Sequence, residues 1–265
     1  MSGRALVTGA SGAFGTALRA ELKSRGWAVV GLDLKADGDE VISCDVTDDD
    51  AVPGAVSTAA QRLGGLDVVV NNAGIGGPAS AGAAPDEHVR RMLDVNLLGA
   101  WRVTAAAIDH LVESRGRVVL LGSRMSFIGL PLGAAYGVSK RALTAYADAL
   151  RAEYGTHVAV TCVHPAFVRT PIHDRTREAG LQLEGFSTEE PIEQVVATLV
   201  RACEARNPGR DVAVTRGGGL QMAIARHMPR LVDRVVARTL AKRIAAGDLD
   251  DADVAAGLRA RHRQG

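Results

Sequence analysis

Residues 7–15 read Val7-Thr8-Gly9-Ala10-Ser11-Gly12-Ala13-Phe14-Gly15. A short apolar run from Arg4 ends there, and three glycines follow at intervals of three. Glycine costs a regular helix or strand about 0.5–1 kcal/mol, so a cluster needs a backbone reason. A strand that turns sharply into a helix supplies one. Such a turn presents unpaired N–H groups at the positive end of a helix dipole, which suits a pyrophosphate. Gly9 would allow the tight turn, Gly12 the approach of phosphate to backbone, and Gly15 close packing of helix on strand. Taken alone, three glycines fit a plain turn equally well, so the reading depends on their surroundings.

Working outward, apolar runs alternate with longer Ala-rich stretches. Strands are expected at Arg4–Thr8, Trp27–Leu32, Val41–Cys44, Leu66–Val70, Arg117–Gly122, His157–Val163 and Asp211–Thr215. Helices are expected at about 13–25, 48–63, 86–113, 136–154 and 189–206. The strands alternate little between apolar and polar residues, which suits strands covered on both faces. The β-α-β-α order predicts an α/β fold: a doubly wound parallel sheet of about seven strands, helices on both faces, and a helical C-terminal extension. Residues 1–219 read as one such domain and 220–265 as the extension.

Composition agrees. Hydrophobic residues make up 47% of the 265, enough for a buried core, while aromatics make up 3%, so Ala, Val and Leu must build it. A net charge of +1 gives no global field for nucleic acid or membrane. Cys44, Cys162 and Cys203 are odd in number and sit inside expected elements, as small buried hydrophobes of a reducing compartment do. No signal-peptide pattern opens the chain and no apolar run nears the ~20 residues of a membrane span, so a cytoplasmic location is expected.

On doubly wound sheets, ligands bind beyond the C-terminal strand ends. Asp33 ends the second strand, 18 residues after Gly15, where a carboxylate can bond the adenosine ribose 2′-OH and repel a 2′-phosphate. NAD is therefore expected over NADP, with Lys35 as a partial offset. Asp45-Val46 follows the third strand and Asn71-Asn72-Ala73-Gly74 the fourth, where small and amide-bearing residues can lie beside an adenine and a ribose; from composition alone an ordinary turn is the preferred reading. Ser123 ends the fifth. On the next helix, Tyr136 and Lys140 are four apart, on one face with Cβ atoms roughly 5–6 Å apart.

Together these residues resemble the short-chain dehydrogenase/reductase family, compact branch, over about residues 4–216. The resemblance rests on Thr8–Gly15, Asn71–Gly74, Ser123 thirteen residues before Tyr136, and Tyr136-Gly137-Val138-Ser139-Lys140. It implies a Rossmann-like fold and a catalytic set of Ser123, Tyr136, Lys140 and Asn96. It also implies a cofactor site of Thr8, Gly9, Ser11, Gly12, Ala13, Phe14, Gly15, Asp33, Asp45, Val46, Asn72, Ala73 and Gly74. Tyr136, Lys140, Pro165, Ala166, Val168 and Thr170 complete that site at the nicotinamide end. Two departures stand out: Ala13 where the compact branch has Gly, and Ala166 where the family has Pro-Gly.

The reaction implied is hydride transfer between a secondary alcohol and nicotinamide. Tyr136 is the expected base for oxidation and acid for reduction. A cation ~4 Å away interacts by about 4 kcal/mol at an effective dielectric of ~20, so Lys140 is expected to acidify the phenol. By resemblance, Lys140 also holds the nicotinamide ribose and Asn96 a water leading to solvent, while Ser123 binds the substrate oxygen. Segment 171–188 falls at the family's substrate loop. Its Leu181, Leu183 and Phe186, with Met125 and Leu132, suggest a hydrophobic, steroid-like or terpenoid substrate. Arg124 could meet an acidic group, though a solvated arginine is preferred; His164 and His173 read as ordinary polar residues, and no metal site is expected.

In the tail, Pro229 opens a helix with apolar residues from Ile224 to Ile244 and basic ones at Arg226, Arg230, Arg234, Arg238 and Lys242. The preferred reading packs it on the core or a partner; the alternative is peripheral contact with a membrane through 224–244. A homodimer or homotetramer is expected and nucleic acid is not. An NADP(H)-dependent carbonyl reductase is the alternative activity. A non-catalytic dinucleotide sensor, against which the complete Ser123, Tyr136, Lys140 and Asn96 set argues, is the second function class, and a peripheral membrane or nucleic-acid binder using the tail is the third.

Overall fold

The structure, a computed structural model, describes residues 3–181, 189–205, 207 and 209–262. Leu183 and Phe186 of the expected substrate loop lie outside these residues. The chain runs β1 (Arg4–Thr8), α1 (Ala13–Ser24), β2 (Ala28–Asp33), β3 (Val41–Ser43), α2 (Ala51–Leu63) and β4 (Val68–Asn71). It continues through α3 (Glu87–Leu93), α4 (Ala100–Ser114), β5 (Arg117–Leu121), α5 (Ala134–Tyr154), β6 (Ala159–His164) and α6 (Asp174–Glu178). It closes with α7 (Ile192–Glu204), β7 (Asp211–Ala213), α8 (Arg216–His227), α9 (Pro229–Ala245) and α10 (Ala256–His262).

The strands form one parallel sheet in the order β3-β2-β1-β4-β5-β6-β7. The order reverses between β1 and β4, which opens a crevice at their C-terminal ends. Leu6 of β1 packs toward α2, α4 and α5 with Val56, Val103, Leu111 and Leu143. Its neighbours Ala5 and Val7 face the other way, toward Leu18 and Leu22 of α1 and Val195 and Leu199 of α7. That two-sided burial is why the strands read as unbroken apolar runs. Each fully buried Leu or Val contributes about 1.5–3 kcal/mol relative to exposure. The three cysteines are free and buried.

Two stretches differ from expectation. The helix expected over 86–113 is broken: a π-helical turn, Asp94–Gly99, separates α3 from α4. The cause lies at Asn96, whose amide is clamped to the Ile75 backbone, accepting from its N–H at 2.8 Å and donating to its C=O at 3.0 Å. The strand expected to reach Thr215 stops at Ala213, because the Thr215 hydroxyl caps α8 by accepting from Gly218 N–H at 3.1 Å.

Candidate active site

The β1–α1 turn forms as the glycines require. Gly9 has φ +61°, and a Cβ there would stand 2.8 Å from the Ala73 backbone. A Cβ on Gly15 would stand 2.1 Å from the Gly9 carbonyl oxygen, so α1 lies on the turn as closely as backbone allows. Gly12 precedes α1 without any side-chain cap, which leaves the helix's first N–H groups facing the crevice. Ser11 N–H donates to the Asp33 carboxylate at 2.9 Å, joining the turn to the end of β2. Thr8 and Gly15 do not line the crevice. The Thr8 hydroxyl is turned inward and accepts from the N–H groups of Asn72 and Ala73, both at 3.0 Å.

A cleft of about 790 Å³ runs along the strand ends. Gly9, Ser11, Gly12, Ala13, Phe14, Asp33, Asp45 and Val46 line one end, and Asn72, Ala73 and Gly74 line its middle. Ser123, Tyr136, Lys140, Pro165, Ala166, Val168 and Thr170 line the other. The size and lining fit a dinucleotide: bare helix N–H groups for phosphates at one point and hydroxyl and ammonium donors at the far end. Burial alone would raise the Asp45 carboxyl, but bonds from Arg91 and Thr47 outweigh it and hold it below its ordinary value. Arg91, which the sequence did not single out, lines the cleft with its guanidinium 2.7 Å from Asp45.

Ser123 follows β5 in extended backbone and accepts from Met125 N–H at 3.2 Å. Tyr136 stands in the first turn of α5 and Lys140 one turn on, with Nζ 5.7 Å from the phenol ring centre. Lys140 Nζ donates to the Leu121 carbonyl at 2.8 Å. Burial moves both groups toward neutrality. It pushes the phenol up to about 12, against a lowering hydrogen bond from Ser123, and the Lys140 ammonium down to about 8. The expected acidification of Tyr136 by Lys140 is therefore absent here: desolvation of the phenol outweighs the lowering bond from Ser123. Asn96 is buried off the cleft and also donates to Ser139 Oγ at 3.0 Å, which ties the π-helical turn to α5 between Tyr136 and Lys140.

Arg124 corrects another expectation. It is buried rather than solvated, 3.3 Å from the buried carboxylate of Glu190. Glu190 also accepts from Ala166 N–H at 2.8 Å and the Thr215 hydroxyl at 3.2 Å, so one carboxylate holds the segment after β6 against Arg124. His164 is fully buried; its ring nitrogens lie 3.1 Å from the Ser123 carbonyl and 3.1 Å from the Asp211 carboxylate. Both partners are acceptors, so both nitrogens donate and the ring is a cation. Burial opposes the charge, but Cys162 and Asp211 outweigh it and lift the pKa to about 9. The thiol of Cys162 lies within 4.8 Å of the other two groups.

Beside Tyr136 the cleft opens into an apolar side pocket of about 70 Å³. Met125, Leu130, Leu132 and Ile172 line it from the core; Leu181 follows α6. Leu240 of α9 and Leu249 close it from the extension. Leu132 holds φ +61°, an unusual conformation for leucine, fixed by a 2.7 Å bond from Ala79 N–H to its carbonyl.

Residues 4–180 match the short chain dehydrogenase family. The chain belongs to that family, and so is an oxidoreductase acting on CH–OH donors or the corresponding carbonyls with a nicotinamide cofactor. Among its relatives, an uncharacterized oxidoreductase of Myxococcus xanthus (strain DK1622) is 38% identical over 184 residues, covering 63% of this chain and 73% of that one. L-fucose dehydrogenase of Mus musculus is 31% identical over 242 residues, covering 81% of this chain and 88% of its own. A short chain dehydrogenase from Burkholderia cenocepacia J2315, solved in complex with NADP, has the same fold at 22% identity, with a TM-score of 0.74 over 89% of this chain and 97% of that one.

Proposed function

We propose that the protein is an NAD(H)-dependent oxidoreductase that interconverts an apolar secondary alcohol and its ketone, with Tyr136 moving the proton. The observation that carries this reading is a convergence: Ser123, Tyr136 and Lys140 meet where the dinucleotide-sized cleft joins the apolar pocket. A nicotinamide coenzyme supplies or accepts the hydride when bound. The N-terminus of α1 would hold its pyrophosphate and Asp33 its adenosine ribose. Lys140 spends one of its three N–H donors on Leu121 and offers the others to the nicotinamide ribose. Pro165, Ala166, Val168 and Thr170 would frame the nicotinamide.

A phenol with a pKa of about 12 keeps its proton at neutral pH, so Tyr136 is set to donate to a carbonyl oxygen. Ser123, which accepts from Met125 N–H, would turn its own proton from the phenol to the same carbonyl oxygen. Reduction is favoured near neutrality by this arrangement, and oxidation gains as pH rises. Preference for NAD is supported by Asp33 at the cleft wall, by the commitment of Arg91 to Asp45, and by the exposed Leu34 that follows Asp33. The wall of Met125, Leu132, Leu240 and Leu249 supports an apolar substrate.

Residues 1–219 would act as the catalytic unit and 220–265 as a wall of its pocket. Self-association is supported by the exposed apolar residues Leu98, Trp101 and Val138 on and beside α4 and α5. A screen of secondary alcohols and ketones, read by NADH absorbance with NADPH in parallel, tests the proposal. Turnover of an apolar substrate with NADH preferred is expected. Tighter use of NADPH would overturn the cofactor assignment, and preference for small polar polyols would overturn the substrate class.

A further inference from the structure

The extension carries a surface that the reaction does not use. On α9, Leu240 faces inward, while Leu231 (43% exposed) and Val235 (54%) face out. Met228, one turn before Leu231, is 53% exposed, and Leu220 on α8 is 64% exposed. At 100° per residue, Leu231, Val235, Arg238 and Lys242 fall on one stripe of α9, with Arg234 beside it. Residues 229–245 hold five basic residues against one acid, Asp233, which lies on the opposite side of the helix. Arg243 turns inward and pairs with Asp248. Arg230, Arg234, Arg238 and Lys242 have no ion-pair partner among the described residues.

From this geometry we propose that the outer face of α9 docks on an anionic lipid surface. Aliphatic residues flanked by unpaired arginines match a bilayer interface, where side chains enter the acyl boundary and guanidinium groups reach headgroup phosphates. A second copy fits the charge poorly. A two-fold contact would bring this stripe against itself and face the three unpaired cations Arg234, Arg238 and Lys242 with three more. The face also lacks exposed aromatic residues that would stack on bases. Because the same helix turns Leu240 into the pocket beside Tyr136, docking sets the apolar chamber next to lipid.

Vesicle flotation of the full-length protein tests the proposal, with phosphatidylcholine vesicles compared to phosphatidylcholine vesicles containing phosphatidylglycerol. Binding to the anionic vesicles alone, weakening as salt is raised, is expected. Each basic residue near an anionic surface is worth about fivefold in partitioning, so Arg230→Gln with Arg234→Gln and Arg238→Gln should weaken binding about 100-fold. Leu231→Ser with Val235→Ser should also release the protein, with circular dichroism and NADH affinity unchanged in both variants. Equal binding to neutral vesicles, binding to neither, or undiminished binding of the arginine variant would overturn it. So would a smaller species of the Leu231→Ser, Val235→Ser variant in light scattering, which would make this face an interface between copies.

Discussion

Lys140 and His164 are buried 19 and 41 residues from the carbonyls they bond, and they answer pH in opposite directions. His164 in the native protein keeps its proton to about pH 9, against 6.5 when unfolded. The native state therefore binds the extra proton between those values, and its stabilisation, complete below pH 6.5, is lost as pH rises toward 9. Lys140 runs the other way: its native pKa of about 8 lies below the ordinary 10.5, so stability returns between pH 8 and 10.5. The two overlap and offset one another between 8 and 9. A net loss of about 2 kcal/mol is expected from pH 6.5 to 8. Denaturant melts across that window should show it, and His164→Gln should flatten it; an unchanged slope in the variant would show that His164 is not the source. At this scale, the sequence revealed groups whose spacing is local. Tyr136 and Lys140 are one helical turn apart, and Ser123 ends a recognisable strand. Glu190, Arg91 and the charge on His164 stayed hidden, since each depends on a partner brought near only by the folded sheet.

Elements were legible wherever burial imposed a period. All seven strands overlap the runs that predict them, most clearly the central β1, β4, β5 and β6, which are buried almost throughout. The break between α3 and α4 was not legible, because it arises from one buried amide reaching across to Ile75 rather than from any helix-breaking residue. The β1–α1 turn shows the opposite case, in which three glycines announce the geometry. Gly15→Ala would drive a methyl to 2.1 Å from the Gly9 carbonyl, a backbone contact that no rotamer can relieve. Overpacking of this kind costs about 1–3 kcal/mol. The expected result is a lower melting temperature together with weakened NADH binding in a fluorescence titration. Unaltered affinity would mean that the coenzyme does not use this turn. In the extension, the amphipathic pattern was legible but its partner was not. The same helix buries Leu240 in the pocket and leaves Leu231 and Val235 outside.

Across the whole molecule, the fold follows from order alone: alternating strands and helices, a parallel sheet, and a crevice at the switch between β1 and β4. That crevice gathers strand ends scattered through the sequence and places them around one phenol. The electrostatic state of that phenol could not be read beforehand, because it depends on how completely the assembled protein excludes water from it. Kinetics of Tyr136→Phe bear most directly on whether this crevice is a dehydrogenase site. NADH affinity should be retained while turnover falls about 10²–10⁴-fold, the contribution of a positioned proton donor. A phenylalanine variant that turns over at the wild-type rate would contradict the assignment.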